Sequence, residues 1–242
     1  MQGKRYWEID FFRGVAIIAM VFFHFLFDLN FFKAYNFDLF SGIFWLIGRF
    51  SGFSFLILVG LSLTISYSKS KKSLLGKELF FKYFFRGTRV FSLGLLITML
   101  TLLFVPQGTI VFGILHLIGS SIILAFPFLE KKYFSLFFGA IVFSLGLFLQ
   151  QFSFSFPWLL WLGFYPAGFY TFDYYPLLPW FGVVLFGVFL GNMLYPQAKP
   201  IFLPPDFSKA FPISFLSLLG RHSLLLYFLH QLILIPIVLI FF

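Results

Sequence analysis

His24 and Asp28 stand one helical turn apart in the stretch RYWEIDFFRGVAIIAMVFFHFLFD, residues 5–28. A neutral imidazole near a carboxylate is a general base held in one tautomer, with its conjugate acid stabilised as it accepts a proton. Asp28 is one candidate for the orienting carboxylate, and Asp173 is another if the fold brings it closer. The chain contains no Cys, so there is no thiolate nucleophile, disulfide framework or Cys-ligated metal site, and no metal is expected. Covalent chemistry therefore falls to His, Ser or a carboxylate. His24 removing a proton from an incoming amine or hydroxyl in a direct acyl transfer fits, and so does a transient acyl-His.

At 100° per residue, Arg13 lies within about 20° of the face of His24, three turns earlier, and Asp10 lies near the same stripe. Ionisable groups in hydrocarbon cost about 2.5 kcal/mol or more each, so a stripe of them must face the protein interior or a water-filled cavity. Asp10, at the start of this run, reads as an N-cap. Other polar residues complete the candidate set. His116 sits in GILHLIGSS, residues 113–121, with Gly113 and Ser120 on its face. Asp173 precedes the PLLPW motif that contains Trp180. Ser223, Tyr227 and His230 form a polar seam in LGRHSLLLYFLHQ, residues 219–231, behind Arg221 and His222. His24, Asp28, His116 and Asp173 are the catalytic candidates, and Arg49, Trp180 and His230 the substrate-binding ones. Arg13, Arg86, Arg89, Arg221 and His222 could hold a phosphorylated cofactor.

The elements that position these residues are membrane helices. Of 242 residues, 61% are hydrophobic and only 10% charged, with mean hydropathy +1.00, which leaves too little polar surface for a soluble domain. The expected fold is all-α: a polytopic membrane helix bundle, one integral membrane domain over residues 1–242. Apolar runs near 10–30, 45–67, 88–105, 110–128, 133–150, 175–194 and 219–241 give about seven transmembrane helices. Residues 157–172, PWLLWLGFYPAGFYTF, carry two prolines and repeated Gly and read as an interfacial or re-entrant segment, with an eighth helix as the alternative. The N-terminal run is too long and too polar for a signal peptide and is expected to remain as the first helix.

The net charge of +9 is spread over loops rather than a basic domain, which argues for anionic headgroups and against nucleic acid. Lys4 and Arg5, the cluster from Lys69 to Arg89, Lys131 with Lys132, and Lys199 with Lys209 occupy alternate loops. This alternation predicts a multi-pass cell-membrane protein with a cytoplasmic N-terminus and an outer C-terminus. The basic and apolar residues that alternate over 71–89 predict a segment along the inner interface. Gly48 with Gly52 and Gly187 with Gly191 have the GxxxG spacing of close helix packing.

The first-helix stretch, with FLILVGLSL (55–63), FGILHLIG (112–119), YYPLLPWFGVVLFGVFLG (174–191) and LGRHSLLLYFLHQ, resembles in order the heparan-alpha-glucosaminide N-acetyltransferase catalytic-domain family of transmembrane acyltransferases. The first helix is also similar to that of the acyltransferase-3 proteins, whose catalytic histidine matches His24 and whose FRG arginine matches Arg13. The resemblance implies that an acyl group moves from cytosolic acetyl-CoA or another acyl-CoA to an amino or hydroxyl group of a glycan or glycolipid on the far side. It also marks a departure: the lysosomal sugar N-acetyltransferases carry an amide residue at the position of His24 and a histidine in the following outer loop. This chain has no His between Phe25 and Leu115. The residues themselves leave two other readings open, a proton-coupled small-molecule transporter with a His and Asp relay and a haem-binding membrane protein with two histidines as axial ligands. A homodimer is compatible with all three.

Overall fold

The computed structural model describes residues 5–202 and 205–242, and the regular secondary structure of these residues is helical, with one isolated β-bridge between Phe154 and Pro166. Eight α-helices follow in order: α1 Trp7–Phe31, α2 Gly42–Ser70, α3 Gly76–Phe104, α4 Ile114–Leu124, α5 Lys132–Leu149, α6 Leu177–Leu194, α7 Phe211–Arg221 and α8 Ser223–Phe241. Six of them (α1, α2, α3, α5, α6 and α8) are long and apolar enough to cross a membrane, so the chain is a polytopic membrane helix bundle. Lys4, one of the residues that set the loop-charge pattern, lies outside the described residues.

The chain forms two compact units, Met1–Leu58 with Pro204–Phe242, and Val59–Leu203. In the first unit, α1 packs on α7 and α8. Close crossing with α7 depends on two glycines whose missing side chains are replaced by backbone: a Cβ on Gly14 would meet the Leu216 carbonyl, and one on Gly220 the Asp10 carbonyl. The run expected as one helix over 219–241 is instead two. The helix breaks at His222 (φ −103°, ψ 17°), and α7, with Pro212 in its first turn, is a separate element absent from the sequence-based segmentation.

In the second unit, α3 packs on α4 and α5 on α6. The glycines again mark the crossings. Gly87 and Gly119 lie at the α3–α4 contact, and Gly60 meets the α6 backbone at Val184, Gly187 and Val188, while Gly191 faces Thr64. The Gly187–Gly191 spacing thus serves close packing.

Hydrogen bonds sort the ends of this unit. Lys71 and Glu130 pair at 2.5 Å, and Asn192 donates to the Leu129 carbonyl at 3.0 Å, so the α2–α3 loop, the α4–α5 loop and the end of α6 share one end. That end gathers Lys69, Lys71, Lys72, Lys131 and Lys132, the grouping the alternate-loop pattern predicts. At the other end, Phe172 N–H bonds the Gly108 carbonyl and Tyr175 N–H the Phe112 carbonyl. α4 has 11 residues, too few to cross alone, but the chain from Ile114 through a 3₁₀ turn at Phe126–Phe128 to Glu130 connects the two ends. Residues 157–172 do not cross. Phe154 N–H bonds the Tyr165 carbonyl and Ala167 N–H the Phe154 carbonyl, folding the segment back on itself around a 3₁₀ turn at Leu160–Leu162.

Candidate functional site

The polar stripe of α1 begins at Asp10. Tyr6 occupies the N-cap position, so Asp10 is not the cap expected from sequence but a first-turn residue whose carboxylate, 8% exposed, faces α7. Arg13 Nη1 lies 3.1 Å from Asp10 Oδ1, and Arg221 Nε lies 3.4 Å from Oδ2. Because Gly220 puts the α7 backbone against the Asp10 carbonyl, Arg221 starts close enough to reach the same carboxylate as Arg13. One buried acid therefore holds two guanidinium groups. His222, at the end of α7, is exposed beside them.

Three turns further along α1, His24 Nδ1 lies 2.8 Å from the Met20 carbonyl oxygen. A carbonyl only accepts, so Nδ1 carries the proton and Nε2 holds the lone pair that a base needs. The orienting contact expected of Asp28 is thus made by the backbone one turn back, because a ring at position i reaches the carbonyl at i−4 within its own helix. The His230 ring stands 4.8 Å from the His24 ring at 76°, edge to face. Its Nδ1 bonds the Tyr227 carbonyl at 2.6 Å, which likewise leaves Nε2 as the lone-pair nitrogen. Asp28, 4% exposed, receives a hydrogen bond from Gln231, the residue after His230. Two imidazoles, a carboxylate and an amide meet where α1 and α8 pack. Arg49, on α2, is exposed, with its guanidinium 5.4 Å above the Trp45 ring.

The second unit holds the remaining candidates in a different arrangement. His116 is 1% exposed and both its ring nitrogens are engaged. Nδ1 accepts from Gly113 N–H at 3.2 Å, and Nε2 meets Thr98 Oγ1 at 3.3 Å. Thr98 in turn donates to the Ile110 carbonyl at 2.6 Å. Asp173 Oδ2 accepts from Ile114 N–H at 2.9 Å. His116 and Asp173 therefore satisfy the first N–H groups of α4, which otherwise lack acceptors. Burial pushes the Asp173 carboxyl up to about 6, against the opposing pull of the Ile114 N–H. Trp180 is buried with its ring 4.8 Å from Tyr175. Arg86 and Arg89 are exposed on α3, Arg86 Nη1 reaching Ser66 Oγ at 3.5 Å.

The structure thus brings His24, Asp28 and His230 together, and Arg13 with Arg221, while His116 and Asp173 form a pair in the other unit. Gln231 and Thr98 escaped the sequence reading. A signal for Gln231 existed: an amide directly after a histidine in an otherwise apolar helix is a second buried polar group that needs a partner. No group of three or more His, Asp or Glu converges as a metal site among the described residues.

A family model described as "Heparan-alpha-glucosaminide N-acetyltransferase, catalytic" matches residues 5–232. No curated protein and no solved structure matches the chain.

Proposed function

Because the chain belongs to the heparan-alpha-glucosaminide N-acetyltransferase catalytic family, we propose that it moves an acetyl or other acyl group from cytosolic acyl-CoA to an amino or hydroxyl group of a sugar or glycolipid on the outer side of the cell membrane, with His24 as the base. The observation that carries this reading is the fixed tautomer of His24: its Nδ1–H is bound to the Met20 carbonyl, which leaves the lone pair on Nε2, in a ring 4.8 Å from that of His230.

His24 Nε2 takes a proton from the acceptor as the acceptor nitrogen or oxygen bonds to the thioester carbonyl carbon. The C–S bond then breaks, and the imidazolium returns the proton to the departing thiolate, so the products are the acylated acceptor and the free thiol. His230 supplies a second lone pair within reach of the first ring. Arg13 and Arg221, held by Asp10, offer paired guanidinium donors for the phosphates of the donor, with His222 beside them. His116 is left outside the catalytic set because neither ring nitrogen is available, and Asp173 joins it as the cap of α4. Arg86, Arg89 and the lysines near them face anionic headgroups. On this reading the basic end of the second unit is cytoplasmic, and both termini follow the positive-inside pattern.

The test is radiolabelled acetyl-CoA supplied to either face of proteoliposomes with a panel of amino sugars, neutral sugars and glycolipids on the opposite face. Label should cross to an acceptor only when acetyl-CoA is on the cytoplasmic face. Absence of both acetyl-CoA binding and label transfer would refute the proposal.

A further inference from the structure

Asp28, His230 and Gln231 place three hydrogen-bond acceptors in the α1–α8 contact with nothing to accept from. Asp28 is 4% exposed and His230 is 9% exposed. Asp28 Oδ2, His230 Nε2 and Gln231 Oε1 are all buried without a partner. Each neighbouring atom is already committed: Gln231 uses its amide N–H on the Asp28 carboxylate, and His230 uses Nδ1 on the Tyr227 carbonyl. A buried acceptor without a donor is destabilising, and more so when it is a carboxylate oxygen. Three in one helix contact suit a partner that brings the missing donors.

The chemistry of that partner follows from the three atoms. All are acceptors, so an acceptor-rich ligand such as a phosphate or a carboxylate is repelled. A group carrying several O–H or N–H donors on adjacent carbons satisfies them together. The neighbouring His24 ring, 4.8 Å from His230, then faces the same ligand. Resting on the transfer reading above, we infer that Asp28, His230 and Gln231 form the subsite that reads the hydroxyl groups flanking the acylated position of the acceptor, with Gln231 as the positioning residue that fixes the Asp28 carboxylate. Gln231 also sets specificity, because its own buried Oε1 has no donor and calls for one on the same ligand.

The test compares glucosamine with cyclohexylamine, which presents an amine on a six-membered ring without hydroxyls, as acceptors in proteoliposomes charged with acetyl-CoA. Wild type should prefer glucosamine by 100-fold or more in kcat/KM. Gln231→Met, which keeps the length of the side chain but neither donates nor accepts, should lose 10- to 100-fold of that preference through the KM for glucosamine, with the KM for acetyl-CoA unchanged. Gln231→Glu, which keeps an acceptor but sets a second carboxylate beside Asp28, should raise the KM for glucosamine in the same way. An unaltered preference in both variants, in protein that melts as wild type does, overturns the subsite and leaves the transfer reading standing. A second readout separates the two readings: glucosamine alone should raise the melting temperature of wild type and not of Gln231→Met. If wild type binds glucosamine in this way but transfers no acetyl group, the subsite stands and the transfer reading falls. If wild type shows no shift, the subsite falls.

Discussion

Replacing Asp10 with Ala removes a carboxylate that contacts both Arg13 and Arg221. The Arg13 contact, at 3.1 Å with a side chain 26% exposed, belongs among charge-assisted bonds that are partly shielded from water, and about 1.5 kcal/mol is a fair value for it. The Arg221 contact is longer, 3.4 Å, and its side chain is 42% exposed, so screening reduces it to about 0.5 kcal/mol. Together they amount to about 2 kcal/mol, roughly a 30-fold change in a folding equilibrium. The conservative Asp10→Asn keeps an acceptor for Arg13 and should lose about half as much. Freed from the carboxylate, the two guanidinium groups no longer share one orientation, and the KM for acyl-CoA should rise about tenfold with a smaller effect on kcat at saturating donor. The assay is a thermal melt in detergent beside initial rates at varied acyl-CoA. If Asp10→Ala melts with wild type and keeps its donor KM, the carboxylate neither holds α7 nor organises the arginines, and the reasoning fails.

Gly220→Ala should destabilise by about 1–3 kcal/mol, because the added Cβ falls on the Asp10 backbone carbonyl and no flexible side chain can yield; a melt at the wild-type temperature would show that α7 does not cross so closely. Asp173 has a folded value near 6 against an ordinary 3.8, so the folded state binds the extra proton between these values. Its contribution to stability is full below about pH 4 and lost as pH rises through about 6. Wild type should therefore lose on the order of 2 kcal/mol relative to Asp173→Asn between pH 4 and pH 7, read as the difference between two melt series; parallel series would contradict the buried cap. Thr98→Val leaves the Ile110 carbonyl and the His116 ring without their shared hydroxyl, and it should lower stability by about 1–3 kcal/mol while kcat per folded molecule is unchanged. A fall in kcat without loss of stability would return His116 to the catalytic set.

The helical class and most helix positions were legible because ~20-residue apolar runs have few alternatives in a bilayer. The loop lysines were legible for a related reason: charge is confined to the ends, and Lys71, Glu130 and Asn192 meet there. α7 was not legible. Its 11 residues fall short of a span, and the close approach of α7 to α1 at Gly14 and Gly220 is what reveals that FPISFLSLLGR is a packing element rather than a loop. In the site, helical periodicity placed Arg13, His24 and Asp28 on one face, but it carries no information about the partner helix. The meeting of His24 with His230, and of Asp28 with Gln231, depends on how α8 lies against α1. His116 shows the opposite limit. A histidine near a helix start is chemically ambiguous in sequence, and the contacts from Gly113 and Thr98 are what occupy its nitrogens.

The most direct measurement is the single-turnover rate of acyl transfer by His24→Asn in proteoliposomes, with acyl-CoA binding measured on the same sample. The expected result is a rate lower by about 10²–10⁴ with donor binding intact, since the substitution removes the Nε2 lone pair while the Asn amide can still donate to the Met20 carbonyl. A rate within threefold of wild type would contradict the assignment of His24 as the base.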